Sequence, residues 1–334
     1  MKPCILIFGQ PRSGTTWIGK LFDSHPDTLY RHEPDSVRKL SLPLFPAKQE
    51  APQFRGDLEK FIASLPVMRS PEVVGKQPLF PKSYQSAAGL VAYRAGVIFA
   101  KAASRVHRHF PTPFRPTAAR SENARLVWKS IESQGRLGVC VEALPQARAI
   151  HLMRHPCGYV ASKLRGEASH RFEGTTPGAE SVWLLKRLVK TTAGKEHGMS
   201  EGDIKRLTPV EQMAWCWVLT QENILADVAD SDRVLSVRYE DVCANPLAMT
   251  KRMFEFAGLD WHSQSERFVK ASTAAASADY YSVFKNPVAS ADRWRSELTP
   301  DIAKCVKRIL RESRLSSVYV DQVEVSAALP ETTT

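Results

Sequence analysis

Short apolar runs of strand length alternate along this chain with longer stretches in which apolar positions recur at helical spacing. The first run, CILIF at residues 4–8, stops at Gly9 and gives way to a polar loop. That loop opens a helix with Trp17, Ile18, Leu21 and Phe22 on one face. Further runs predict strands near residues 28–32, 125–128, 148–153 and 233–237. Helix boundaries are punctuated between them. Thr208-Pro209-Val210-Glu211 has the form of a capping box with Pro in the first turn, opening a helix to about Val228. Asn245-Pro246 starts another helix that Gly258 ends, and Thr299-Pro300 starts a third with Ile302, Cys305, Val306, Ile309 and Leu310 on one face. Strands alternating with helices in this way predict an α/β fold, a doubly wound sheet of about five parallel strands with helices on both faces.

Two segments fit the sheet poorly. Residues 40–120, rich in Pro and Arg, and residues 165–207 read as loop and helix insertions, of the kind that shape a substrate site above a doubly wound sheet. With no linker composition, residues 1–325 read as a single domain and the tail 326–334 as disordered. The apolar stretch AAGLVAYRAGVIFAKAA is interrupted by Arg94 and Lys101 and reads as an amphipathic helix rather than a membrane span. The first strand starts within a few residues of Met1, ahead of which no signal peptide fits, so the expectation is a cytoplasmic protein.

Charge narrows the chemistry. Lys and Arg number 46 against 35 acids, a net charge of +11, which suits a polyanionic partner such as a nucleotide, a nucleic acid or an anionic acceptor. A nucleic-acid module would add interleaved aromatics or a known motif, and neither is visible. The six cysteines are scattered, with no CxxC or Cys/His spacing, so neither a metal site nor a disulfide framework is expected.

The loop after the first strand carries the sharpest signal. Gly9 and Gly14 stand at the spacing of a phosphate-binding loop, G-x-x-x-x-G-K-[ST], but Thr15 and Thr16 follow where the lysine belongs, and the cation inside the loop is Arg12. The backbone N–H groups and the helix N-terminus still face an anion. ATP and GTP enzymes place a lysine on the outer phosphates and hold magnesium with a second-strand aspartate. Both features are absent from this sequence pattern, which leaves a small-molecule kinase as the alternative and a metal-independent nucleotide site as the main reading.

In an open parallel sheet, ligands bind beyond the carboxyl ends of the strands. The predicted strands deliver there, in order, the glycine loop, Glu33, Lys129, Arg154, and Arg238 with Tyr239, Glu240 and Asp241. The rim is cationic with one well-placed carboxylate.

These residues resemble the sulfotransferases that use 3′-phosphoadenosine 5′-phosphosulfate (PAPS). PRSGTTW, Pro11 to Trp17, is similar to that family's 5′-phosphosulfate loop in the Arg-containing form of carbohydrate and many bacterial members. RHPCGYVAS supplies an Arg just after a strand and a Ser eight residues later, Arg154 and Ser162. VRYEDVCANP and RWRSEL resemble two further stretches of the family, the latter the segment that closes over the nucleotide. The likeness is confined to these blocks.

The resemblance implies a P-loop-type fold and transfer of a sulfonate from PAPS to a hydroxyl of a carbohydrate, lipid or secondary metabolite. The product would be 3′,5′-adenosine bisphosphate. By the same likeness, Arg12, Ser13, Gly14, Thr15, Thr16 and Trp17 belong to the 5′-phosphosulfate site, and Arg154 and Ser162 to the 3′-phosphate. Arg12, a permanent cation with a planar fork of donors, acts electrostatically rather than as an acid. Glu33, in LYRHEP, resembles the FEP glutamate proposed as base in carbohydrate members, with His32 as rival base and Arg31 or Arg38 as partners in a purely structural reading. Lys129 fits either the transferred sulfonate or a solvated strand end. Trp294 fits a core position or an adenine cover.

Overall fold

The computed structural model describes residues 4–104, 110–113, 124–168, 179–274 and 286–319; the tail 326–334 and parts of both insertions lie outside them. The chain divides into two compact units, Met1–Met153 with Asp227–Ser290, and Arg154–Ala226 with Ala291–Thr334.

The first unit is built on a parallel sheet of five strands: β1 (Cys4–Gly9), β2 (Thr28–His32), β3 (Arg125–Ser130), β4 (Arg148–Met153) and β5 (Val234–Arg238). The order is β2-β3-β1-β4-β5, so the chain leaves β1 in one direction and returns to fill the other side. β1 is buried throughout, and Leu6, Ile7 and Phe8 have no exposed surface. This is why its sequence reads as a continuous apolar run rather than an alternating one. β5, at the edge, is only partly buried.

Register assigns the two faces. Ile7, Lys129 and His32 stand opposite one another across β1, β3 and β2, so their side chains share a face. Tyr30, two residues before His32, shares it too. Helix α1 (Thr15–Asp23) covers that face, with Gly19 against the Tyr30 hydroxyl. The opposite face holds Phe8 and Trp128 in an edge-on contact 4.9 Å between centroids, capped by Phe61 of α3 (Ala51–Ser64), with the four-residue helix α2 (Pro34–Val37) between α1 and α3 in sequence. Trp128, Phe8 and Phe61 together bury several hundred Å² of aromatic surface.

Residues 72–82 wrap the end of β2 without forming a regular element longer than one turn. The segment is tethered by cations that reach its carbonyls: Lys20 to Pro78 O at 2.6 Å, Arg94 to Leu79 O, and Lys101 to Gly75 O. Helix α4 (Ala87–Ala103) forms as expected and buries Leu90, Tyr93, Val97 and Ala100. Its other side is not polar, however. Val91, Ile98 and Phe99 are exposed, so the helix is apolar on both sides and the amphipathic reading holds only for the buried stripe. Among the described residues no helix is long and apolar enough to cross a membrane.

In the second unit the expected caps are made. Thr208 and Glu211 exchange side-chain-to-backbone hydrogen bonds, 2.9 and 3.3 Å, at the start of helix Pro209–Val228. Thr299 Oγ1 accepts from Ile302 N at the start of helix Pro300–Arg311, which buries Val306, Ile309 and Leu310. All six cysteines are free, five of them buried.

Candidate active site

β1 ends in the glycine loop. Ser13 N and Oγ both donate to Gln10 O, at 3.1 and 2.5 Å, closing the turn. Arg12 has φ 74 and Gly14 φ 93, so the chain enters the left-handed region twice before α1 begins. Alternation of this kind gathers successive N–H groups into an anion-binding concavity. Glycine is required at position 14 for a second reason: a Cβ there would collide with the Tyr239 ring, which follows β5. At Gly9 a Cβ would lie 2.6 Å from Leu152 O, because β1 and β4 run side by side with Gly9 opposite Leu152. Helix α1 starts with no side-chain cap and no acidic residue in its first turn, so nothing anionic of its own neutralises the positive end of its dipole.

Within the loop, Thr15 is buried, while Arg12 and Thr16 are half-exposed. The Trp17 side chain packs edge-on against Tyr239, the ring that also abuts Gly14, and donates Nε1–H to Ser272 Oγ at 3.1 Å. The Trp17 side chain therefore anchors the loop's helix against Tyr239 and Ser272.

Two strands from β1, β2 ends at Glu33. The N–H of Glu33 donates to Lys129 O at 2.7 Å, extending the β2–β3 ladder by one residue. The residue then takes φ 45, ψ 49. Arg12 and Glu33 are the non-glycine residues with positive φ among the described residues. Such conformations cost about 1–3 kcal/mol and cluster at functional sites.

The bend at Glu33 splits its neighbourhood between the sheet faces. The Glu33 carboxylate turns to the α1 face, where Lys129 Nζ forms an ion pair with Oε1 and His32 Nε2 stands 3.7 Å from the same oxygen. The partner found for Glu33 is Lys129, where the structural reading expected Arg31 or Arg38. Arg31 instead donates to Leu65 O and Pro66 O at 2.7 and 2.8 Å. Lys129 is completely buried, and burial lowers its pKa while Glu33 opposes that shift. A buried ammonium paired with a carboxylate is not the solvated strand end that the sequence also allowed for Lys129.

On the other face Asp35 accepts from Ser130 Oγ at 2.5 Å, Ser133 Oγ at 2.6 Å and Trp128 Nε1 at 3.3 Å. Ser130 in turn receives the N–H groups of Glu132 and Ser133. This cluster fixes the turn that follows Lys129, and sequence reading missed it. The available signal was the polar run SIES directly after an apolar strand.

A second buried charge group lies behind the first. Asp23 pairs with Lys20 at 2.5 Å and Lys82 at 3.2 Å. Burial opposes its ionisation, yet the two lysines hold its pKa down at about 2. His25 closes the turn after α1: its Nδ1 accepts from Asp27 N and its Nε2 bonds Asp260 O.

In the second unit Arg154 opens the segment leading to helix Pro156–Ala168 and lies along that helix's first turn, where a Cβ on Gly158 would be 2.8 Å from its Nε. Gly158 and Ser162 are one turn apart, so Arg154 and Ser162 share a helix face. Ser162 is buried and receives a hydrogen bond from Arg165 Nη2 at 3.3 Å. Arg165 also pairs with Glu297 of the RWRSEL stretch, to which Arg293 adds a 2.6 Å contact. Trp294 in that stretch is buried and stacks on His155, 4.9 Å between centroids and 4° apart. Among the described residues no group of three or more His, Cys, Asp or Glu side chains could hold a metal.

Comparison with known proteins adds the lineage. A family model described as "Sulfotransferase family" matches residues 3–263. Carbohydrate sulfotransferase 1 of Rattus norvegicus is 24% identical over 332 residues, covering 90% of this chain and 75% of the relative. Carbohydrate sulfotransferase 3 of Mus musculus is 35% identical over 77 residues, covering 22% of this chain and 16% of the relative. Among solved structures, the sulfotransferase domain from the curacin biosynthetic pathway superposes with a TM-score of 0.44 at 15% identity, covering 93% of this chain and 97% of that one.

Proposed function

Because this chain belongs to the sulfotransferase family, we propose that it moves a sulfonate from PAPS to a hydroxyl of a carbohydrate, with Glu33 as general base. The single observation that carries the reading is that two strained residues, Arg12 and Glu33, follow the carboxyl ends of strands of one parallel sheet. A phosphate loop after β1 carries Arg12 in place of the usual lysine, and a carboxylate after β2, two strands away, is held by a buried lysine. The relatives named carbohydrate sulfotransferases support a glycan acceptor.

The acceptor oxygen attacks sulfur in line with the bond to the 5′-phosphate. That S–O bond breaks as the new one forms, the acceptor's proton passes to the Glu33 carboxylate, and 3′,5′-adenosine bisphosphate leaves. Negative charge grows on the leaving phosphate, where Arg12, Thr15, Thr16 and the loop N–H groups stabilise it. Ser13 closes the loop, and Gly14 and Trp17 contribute backbone. Lys129, drawn from Glu33 toward the sulfonate, would release the base as the donor binds. Arg154 and Ser162 are assigned to the 3′-phosphate. No step in this scheme calls for a metal.

Calorimetric titration with 3′,5′-adenosine bisphosphate, against ATP with magnesium and against 5′-AMP, tests the donor assignment. Tight metal-free binding of the bisphosphate with far weaker 5′-AMP is expected. Preference for ATP with magnesium would return the protein to the kinases. Transfer of labelled sulfonate from PAPS to neutral and uronate-containing oligosaccharides then tests the acceptor class.

A further inference from the structure

We infer that Tyr30 and His32 are positioning residues for the Glu33 carboxylate, with Tyr30 fixing the tautomer that aims the His32 Nε2–H at Glu33. The inference rests on the reading of Glu33 as the base and deepens it.

Tyr30 is buried, and its hydroxyl lies 2.9 Å from His32 Nδ1. The hydroxyl is pressed into the space above Gly19, where an added Cβ would be 2.6 Å away. On the far side of the imidazole, Nε2 stands 3.7 Å from Glu33 Oε1, the oxygen that Lys129 also contacts. Gly75 backs the ring, close enough that a Cβ there would be 3.2 Å from His32 Cβ. The imidazole is thus fixed between a phenol and a carboxylate.

Which nitrogen carries the proton follows from the partners. Burial, together with Asp23 and Glu33, raises the Tyr30 pKa well above its ordinary value, so the phenol keeps its proton and can donate to Nδ1. Nε2 then bears the ring's proton and faces the carboxylate as a donor. The reverse tautomer would set a nitrogen lone pair against Glu33. The doubly protonated ring is disfavoured by burial and by the charges of Lys129, Lys20, Lys76 and Lys101, with Glu33 as the acid beside it.

A neutral donor suits a base better than a cation does. An imidazolium would hold Glu33 ionised and weaken it as a proton acceptor, whereas a neutral N–H orients the carboxylate at smaller cost to its basicity. At 3.7 Å the contact is longer than a hydrogen bond. It becomes the remaining side-chain hold on Oε1 once Lys129 turns to the sulfonate.

The test is nitrogen NMR of the full-length protein labelled with 15N-histidine, the His32 signals being identified by their loss in His32→Gln and their shift in Tyr30→Phe. A neutral ring protonated on Nε2 from pH 8 down to pH 6 is expected. Tyr30→Phe should mix the tautomers, lower kcat roughly three- to tenfold and leave affinity for 3′,5′-adenosine bisphosphate within about twofold. A His32 ring protonated on Nδ1, or titrating near the ordinary histidine value, overturns the inference. So does a Tyr30→Phe enzyme with unchanged kcat and pH profile. Failure of the underlying reading would look different: Glu33→Gln would then transfer sulfonate at the wild-type rate, whatever tautomer His32 holds.

Discussion

At the scale of single residues, the chemistry turns on what a carboxylate and a lysine do to one another at a strand end. Glu33→Gln keeps the size of the side chain and its backbone geometry but cannot accept a proton. It should bind 3′,5′-adenosine bisphosphate as the wild type does while kcat falls by about 10²–10⁴-fold, the share a general base contributes. An unchanged rate removes Glu33 from the mechanism. The position of Glu33 was legible, because a charged residue just after an apolar run projects from the end of its strand. Its partner was not. Lys129 is far from Glu33 in sequence, and only the β2–β3 register brings them together. His155 offers a test of a different kind. Burial against Trp294, reinforced by Arg295, Lys307 and Arg154, lowers its pKa from 6.5 to about 3, so the folded ring stays neutral where the unfolded one gains a proton. Its contribution to stability is therefore complete above pH 6.5 and is lost progressively as pH falls toward about 3. Urea midpoints between pH 7 and pH 4 should fall less steeply for His155→Gln than for the wild type, and parallel curves would show that the ring does not titrate in this way.

At the scale of elements, the strands and helix starts were legible for a simple reason: each is written in local sequence. The five apolar runs became the five strands within a residue or two, and the Thr-Pro caps sit where their spacing put them. The segment 72–82 was not legible, since its order comes from lysine and arginine side chains on distant elements reaching its carbonyls, which leaves no periodic trace. The phosphate loop stands between these cases. Its glycines announced a tight turn, but the contact that makes Gly14 irreplaceable is with Tyr239, more than two hundred residues away in sequence. Gly14→Ala meets two obstacles, the positive φ and the Tyr239 ring. The backbone alone costs about 1–2 kcal/mol, roughly a tenfold loss of affinity for the bisphosphate. Adding Tyr239→Ala should recover the steric part and leave the backbone part. Full recovery would mean that the left-handed turn is not needed for binding. Thr208→Ala, which removes a cap in the other unit, should cost about 1 kcal/mol of stability and leave nucleotide affinity alone.

At the scale of the whole molecule, the excess of cations is unevenly spread. From Val73 to Ser121 the sequence holds no acid at all, while Lys76, Lys82, Arg94, Lys101, Arg105, Arg108, Arg115 and Arg120 fall within it. Several of these serve the fold: Lys82 is buried against Asp23, and Arg94 and Lys101 tether residues 72–82. A structural lysine still contributes its charge to the surrounding potential. The net charge of +11 should therefore act on an anionic donor before it reaches the loop. The screening length is about 10 Å at 0.1 M salt and about 3 Å at 1 M, so the distant part of this attraction fades over that range while contacts at the phosphates persist. Affinity for 3′,5′-adenosine bisphosphate should accordingly fall with added salt, mainly through a slower association rate. Arg154→Ala should behave differently. Losing a charge-assisted contact costs about 1.5–3 kcal/mol, a tenfold or greater loss of affinity, and this loss should fall mainly on dissociation. Stopped-flow binding at several salt concentrations separates the two effects. An association rate indifferent to salt would mean that the cations serve the fold and the acceptor alone. An Arg154→Ala enzyme with unaltered affinity would remove that residue from the 3′-phosphate.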